Sequence, residues 1–118
     1  MKKVVQFKRQ GYNCAESIIK TIDEEKGMNI PVCMATPFGS GMSVGGTCGA
    51  ITGALMVIGA AKGRKSGEEE IRTRKLSREI INQIKERYGT TQCIELKKKG
   101  VTCDEIIEFS YDILDKNI

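Results

Sequence analysis

Apolar residues recur along this chain at helical intervals rather than the alternate spacing of strands. Val4, Val5 and Phe7 open a short segment that Gly11 ends, because glycine takes the left-handed backbone of a helix stop without steric cost. Cys14, Ile18 and Ile22 then stand four apart on one face. Asn13 before them and Glu16 three residues later have the spacing of a capping box, and Gly27 is the stop expected after Lys26. Between Asn29 and Gly46 two prolines and four glycines punctuate the chain too densely for regular structure, so this stretch reads as an ordered loop with one helical turn. Thr47 is placed to cap a helix from Cys48 to Ala61 that is apolar on nearly every side, the expected centre of the fold. Gly45, Gly49 and Gly53 stand four apart there. Each interior glycine costs about 1 kcal/mol against alanine, so the stripe predicts the close approach of another backbone.

After the polar connection Lys62 to Lys65, Ser66 and Glu69 have capping-box spacing ahead of a long amphipathic helix with Leu76, Ile80, Ile81, Ile84 and Tyr88, ended by Gly89. Thr90 and Thr91 offer a cap for a short helix containing Cys93 and Leu96, which Gly100 closes. Thr102 and Glu105 then box a last helix whose apolar face is Ile106, Ile107, Ser110, Ile113 and Leu114. No strand pattern or internal repeat interrupts this series. The expected fold is all-α, a compact bundle of about five helices around the apolar glycine-rich one, with residues 1–118 as a single domain.

Composition narrows the function. The net charge of +4 is a mild excess, and three tyrosines and three phenylalanines supply few stacking surfaces, so nucleic-acid binding is not expected. The N-terminus is basic but lacks the apolar core and cleavage site of a secretory signal, which predicts a cytoplasmic protein. The stretch Ala50 to Ala61 is about a dozen residues long where a membrane crossing needs about twenty, so no membrane association is expected. In a reducing compartment five cysteines read as free, metal-bound or catalytic rather than as a disulfide framework. With no histidine, a His-ligated metal centre, a Cys–His pair, a serine triad and a CxxCH haem attachment are excluded.

Four of these cysteines follow helix-starting residues: Cys14 after Asn13, Cys48 after Thr47, Cys103 after Thr102, and Cys93 just past Thr90 and Thr91. In the first helical turn a thiol faces unpaired backbone N–H groups, which favour the thiolate that attacks disulfides and binds metals. Four converging thiolates would suit tetrahedral zinc or an iron–sulfur cluster, whereas buried cysteines can equally be small inert hydrophobes. Cys33, preceded by Pro31 and Val32, has no cap and stands apart. The loop Gly39 to Gly45 has GxGxxxG spacing and no preceding strand, so it reads as a conformational element beside the cysteines rather than a dinucleotide site.

The runs Gly11-Tyr12-Asn13-Cys14-Ala15-Glu16 and Gly45-Gly46-Thr47-Cys48-Gly49-Ala50-Ile51-Thr52-Gly53-Ala54, followed by Cys93 and Cys103, resemble the redox-active protein family named for its C_GCAxxG_C_C pattern. The resemblance spans nearly the whole chain, although the centre reads Thr47-Cys48-Gly49-Ala50 where the pattern has Gly-Cys-Ala. That family is similar to the non-haem domain of split-Soret cytochrome c, which implies a helical domain that holds an iron–sulfur cluster and dimerises. Its cysteines fall on Cys14, Cys48, Cys93 and Cys103, leaving Cys33 outside. The leading expectation is therefore an electron-transfer protein whose four cysteines bind an iron–sulfur cluster, or zinc, working as a homodimer with an unnamed redox partner. A metal-free thiol–disulfide oxidoreductase using a pair such as Cys93 and Cys103 is the alternative. A helical partner-binding module with inert cysteines is the third reading.

Overall fold

A computed structural model, which describes residues 2–118, contains six α-helices: α1 (Lys3–Arg9), α2 (Cys14–Lys26), α3 (Gly49–Lys62), α4 (Arg74–Tyr88), α5 (Cys93–Lys98) and α6 (Cys103–Asn117). There is no sheet among the described residues; Thr47 and Gln92 form an isolated antiparallel bridge. The all-α bundle expected from the hydrophobic spacing is the fold observed. None of the helices of the described residues is long and apolar enough to cross a membrane.

Two helix starts follow their predicted chemistry closely. The Asn13 side-chain oxygen accepts from the Glu16 N–H at 2.8 Å while the Glu16 carboxylate accepts from the Asn13 N–H at 2.9 Å, a complete capping box for α2. Thr102 Oγ1 accepts from the Glu105 N–H at 3.1 Å and starts α6.

Three other starts differ from expectation, the first being α5, where Gln92 rather than Thr90 or Thr91 is the N-cap residue and no side chain caps the helix. Thr47 is engaged in the bridge to Gln92, so α3 begins later, with Cys48 itself at the N-cap and its N–H donating to the Thr91 carbonyl at 2.9 Å. Ser66 and Glu69 do not start α4, which begins at Arg74; the Glu69 carboxylate instead accepts from the Lys65 N–H at 2.5 Å, closing a local turn. From Ser66 to Thr73 only Ile71 is a large apolar residue, so a helical turn there would bury almost nothing to offset its ordering cost. Helix forms where Leu76, Ile80, Ile84 and Tyr88 provide a buried face.

The punctuated loop holds two helical pieces rather than one. Val32–Phe38 is a 3₁₀ helix, and Gly41–Gly45 is a wide π-type turn closed by the Gly46 N–H on the Gly41 carbonyl at 2.8 Å.

Helix α3 occupies the middle, as its sequence predicts, and packs against α2, α4, α6 and the 3₁₀ helix. Its Ile51, Val57 and Ile58 share one core with Ile18, Ile19 and Ile22 of α2, Ile80 and Ile84 of α4, and Ile107 and Leu114 of α6, all inaccessible to solvent. The glycine stripe is the seam with α2. A Cβ at Gly53 would stand 2.9 Å from the Ala15 carbonyl oxygen and 3.0 Å from Ala15 Cα; one at Gly49 would stand 3.0 Å from the Phe38 carbonyl oxygen and 3.2 Å from Cys14 Cβ. On the other side the buried Ser110 hydroxyl of α6 donates to the Ala50 carbonyl at 2.7 Å, tying α6 to the first turn of α3.

Opposite stability effects are expected along α3. Gly53→Ala forces backbone from backbone, an overpacking cost of about 1–3 kcal/mol that exceeds the gain of about 1 kcal/mol in helix propensity, so the midpoint of guanidinium unfolding should fall. At Gly59 a new Cβ would meet nothing within 4 Å, and Gly59→Ala should raise that midpoint by up to about 1 kcal/mol in stability.

Candidate functional site

The starts of α2, α3, α5 and α6 face one cavity of about 170 Å³, and Cys14, Cys48, Cys93 and Cys103 all line it. Cys14, Cys93 and Cys103 are the first residues of their helices and Cys48 is the N-cap residue of its own. Cys14 and Cys48 are buried, whereas Cys93 and Cys103 are half-buried. Cys33 lies exposed on the 3₁₀ helix, outside the cavity.

The left-handed backbone of the glycine loop forms one wall. Ser40, Gly41, Met42 and Ser43 have φ of 55°, 62°, 60° and 66°, a run that costs a side-chain-bearing residue about 1–2 kcal/mol each. Gly41 is essential to it, because a Cβ there would lie 2.6 Å from Cys93 Cβ and from Gly46 backbone atoms. The wall is stitched to α5 by the Cys93 N–H, which donates to the Gly46 carbonyl at 2.6 Å. The conformational role expected for this loop beside the cysteines is thus what the geometry contains.

The thiols differ sharply in acidity. Cys14 and Cys103 both line the cavity, and each sets the other's acidity more than any other group does. Donating to Cys103 keeps the proton on Cys14, and burial together with the neighbouring thiolate charges reinforces this, so the Cys14 thiol is held far above its ordinary range. The same hydrogen bond favours the thiolate of Cys103; burial opposes it, the Lys8 and Lys97 ammonium groups add to it, and the result is a fall from 9.0 to about 6. Cys48 goes the other way, pushed up to about 11 by burial that outweighs the Ala50 and Ile51 N–H groups at the start of α3. The Asp104 carboxylate, which raises Cys103, is held by Arg9 at 3.3 Å.

This geometry corrects the expectation of an iron–sulfur cluster or zinc on Cys14, Cys48, Cys93 and Cys103. Among the described residues no three Cys, Asp or Glu side chains are grouped so that they could hold a metal ion. Tetrahedral coordination needs sulfurs about 2.3 Å from one centre. Here the four thiols are spread over the lining of a cavity, and Cys14 is held protonated rather than as a ligand thiolate. Metal binding and electron transfer through a cluster are therefore not supported; a thiol-based chemistry fits better. The strongest thiol–thiol interaction joins Cys14 and Cys103, whereas the sequence reading names Cys93 and Cys103 as one example of a pair.

Lys8 and Lys97 also line the cavity and were not singled out from the sequence. Lys97 stands four residues after Cys93, on the same face of α5, a spacing that could have flagged it. Lys8 comes from α1 and has no such local signal.

An all-α scaffold that gathers four helix-start cysteines around one basic-edged cavity defines a thiol-cluster protein. The chain belongs to the family described as "Putative redox-active protein (C_GCAxxG_C_C)", which matches residues 12–117. No curated protein and no solved structure matches it.

Alkylation of Cys103 by iodoacetamide should rise with pH to a midpoint near 6 and level off above about pH 7, since the thiolate is then fully formed. Cys14→Ala, which removes the hydrogen-bond donor, should move that midpoint upward, whereas Cys14→Ser keeps a donor and should move it less. Peptide mass spectrometry of the alkylated residue across pH checks both.

Proposed function

We propose that the protein is a metal-free thiol–disulfide oxidoreductase, folded as a single domain, in which Cys103 attacks and Cys14 resolves. The observation that carries this reading is the convergence of Cys14 and Cys103 on one cavity, the first buried and the second half-buried, each setting the other's acidity in opposite directions. The Cys103 thiolate attacks one sulfur of a substrate disulfide, forming a mixed disulfide and expelling the other sulfur as a thiolate. Cys14 then loses its proton to the expelled thiolate or to water, its sulfur attacks Cys103 Sγ, and the second substrate sulfur leaves as thiolate. Two electrons pass from the dithiol to the substrate, and a Cys14–Cys103 disulfide remains.

Thiol acidity favours this assignment of roles. Lowering the Cys103 thiol raises its thiolate fraction at neutral pH, while the weaker nucleophilicity of an acidic thiolate takes back part of that gain. In the cytoplasm predicted by the sequence, cellular thiols would return the pair to its reduced form.

Oxidation with a limiting small disulfide should yield a Cys14–Cys103 cross-link in tryptic maps, a mixed disulfide trapped on Cys103 in the Cys14→Ala variant, and no turnover in Cys103→Ala. A reduced, unmodified Cys103 after prolonged exposure to excess oxidised substrate would refute the reading.

A further inference from the structure

The two cavity lysines that favour the Cys103 thiolate have no carboxylate partner among the described residues, which leaves them free to meet a second anion. Arg9 is paired with Asp104, Lys2 with Asp112, Lys3 with Glu24 and Lys26 with Asp115, but neither Lys8 nor Lys97 makes an ion pair among the described residues. Both line the thiol cavity, one from α1 and the other from α5. Leu96, Val101 and Ile106 give the lining an apolar part. Lysines left unpaired at a recess raise the local concentration of anions there, and an apolar lining favours a methylene stem over a fully solvated group.

Size sets a further limit. Whole-ligand pockets are about 300–1,000 Å³, so a cavity of about 170 Å³ takes one arm of a small molecule and leaves the rest outside. The half-buried Cys103 sits in this recess rather than on a convex surface. A disulfide within a folded protein would have to bring its flanking chain down to that depth.

We infer that the substrate is a small disulfide bearing carboxylates, one arm of which enters the cavity with its stem on the apolar lining and its carboxylate on Lys8 and Lys97. This rests on the thiol–disulfide reading. In the reaction Cys103 bonds to the sulfur of the bound arm, the S–S bond of the substrate breaks, and the free arm departs as a thiolate carrying the bonding electron pair. Attack of Cys14 on Cys103 Sγ then releases the bound arm as a second thiolate.

Three symmetric disulfides of similar size separate charge from chemistry: 3,3′-dithiodipropionate, bis(2-hydroxyethyl) disulfide and cystamine, which are anionic, neutral and cationic. Stopped-flow rates of Cys103 oxidation should favour the anion over the neutral compound by about tenfold or more at low salt, disfavour the cation, and converge at high salt. Each rate is divided by that protein's iodoacetamide rate, which removes any change in thiolate fraction. On this scale the Lys8→Gln/Lys97→Gln variant should lose the preference for the anion. Lys62→Gln/Lys65→Gln makes the same change in net charge at the opposite end of α3 and should keep the preference.

Equal normalised rates for the three compounds, a preference that survives Lys8→Gln/Lys97→Gln, or faster oxidation by an intact protein disulfide such as that of insulin would overturn the substrate assignment. In each of those cases a Cys14–Cys103 cross-link still forms and the oxidoreductase reading stands. Failure of every disulfide to form that cross-link removes both.

Discussion

The close approach of α2 to α3 is the contact on which the rest of the arrangement depends. Gly49 and Gly53 present bare backbone to Ala15, and a methyl group at either position would collide with main-chain atoms. This brings the start of α2 over the start of α3 and places Cys14 beside Gly49, one residue from Cys48. The destabilisation of about 1 kcal/mol per interior glycine is offset by the packing it permits, because α3 can then bury isoleucines against three neighbouring helices. Helix α6 is fixed to the same end by the Ser110 hydroxyl on the Ala50 carbonyl. The cavity follows from these two contacts together: helix starts are brought to one end, and their first residues face inward.

Shared position does not give the thiols shared chemistry. Cys14 and Cys103 both follow a residue whose side chain caps the helix, yet their acidities move in opposite directions. A helix terminus contributes about 0.3–1 kcal/mol, less than one pKa unit, and cannot produce such a divergence. The difference comes from the neighbour. Of the two thiols the more buried one is held protonated, and the cavity lysines stabilise the charge on the other. At Cys48 the same backbone donors are present without a thiol donating to it, and burial prevails.

These comparisons show which information was local in the sequence. The capping residues Asn13, Glu16 and Thr102, the stop at Gly27 and the buried face of α6 depend on neighbours within one helical turn, and all are found where the spacing places them. The convergence of four cysteines on one cavity follows from their common position at helix starts. What they do there could not be read locally. Whether four sulfurs meet at a point or line a wall depends on how far apart packing holds four helices, and Lys8 reaches Cys103 only because α1 packs against α6. Thr47 and Ser66 had sound capping chemistry, but a long-range bridge claimed the first and a lack of apolar residues left the second without a helix to cap.

The four cysteines also differ in how their backbones are held, and this separates the proposed redox pair from the rest. Cys48 and Cys93 flank the Thr47–Gln92 bridge, and main-chain hydrogen bonds of 2.9 and 2.6 Å fix their own N–H groups. The left-handed run from Ser40 to Ser43 persists only because such bonds over-determine it, which makes this side of the cavity a fixed wall. Cys14 and Cys103 are held instead by the side-chain caps of Asn13 and Thr102, which can follow a small shift of a helix end without breaking a backbone ladder. Joining two sulfurs requires their Cα atoms to come within about 4.4–6.8 Å. In the proposed exchange that adjustment is confined to the first turns after those caps, because the α2–α3 seam and the Ser110–Ala50 hydrogen bond hold the bodies of both helices against α3.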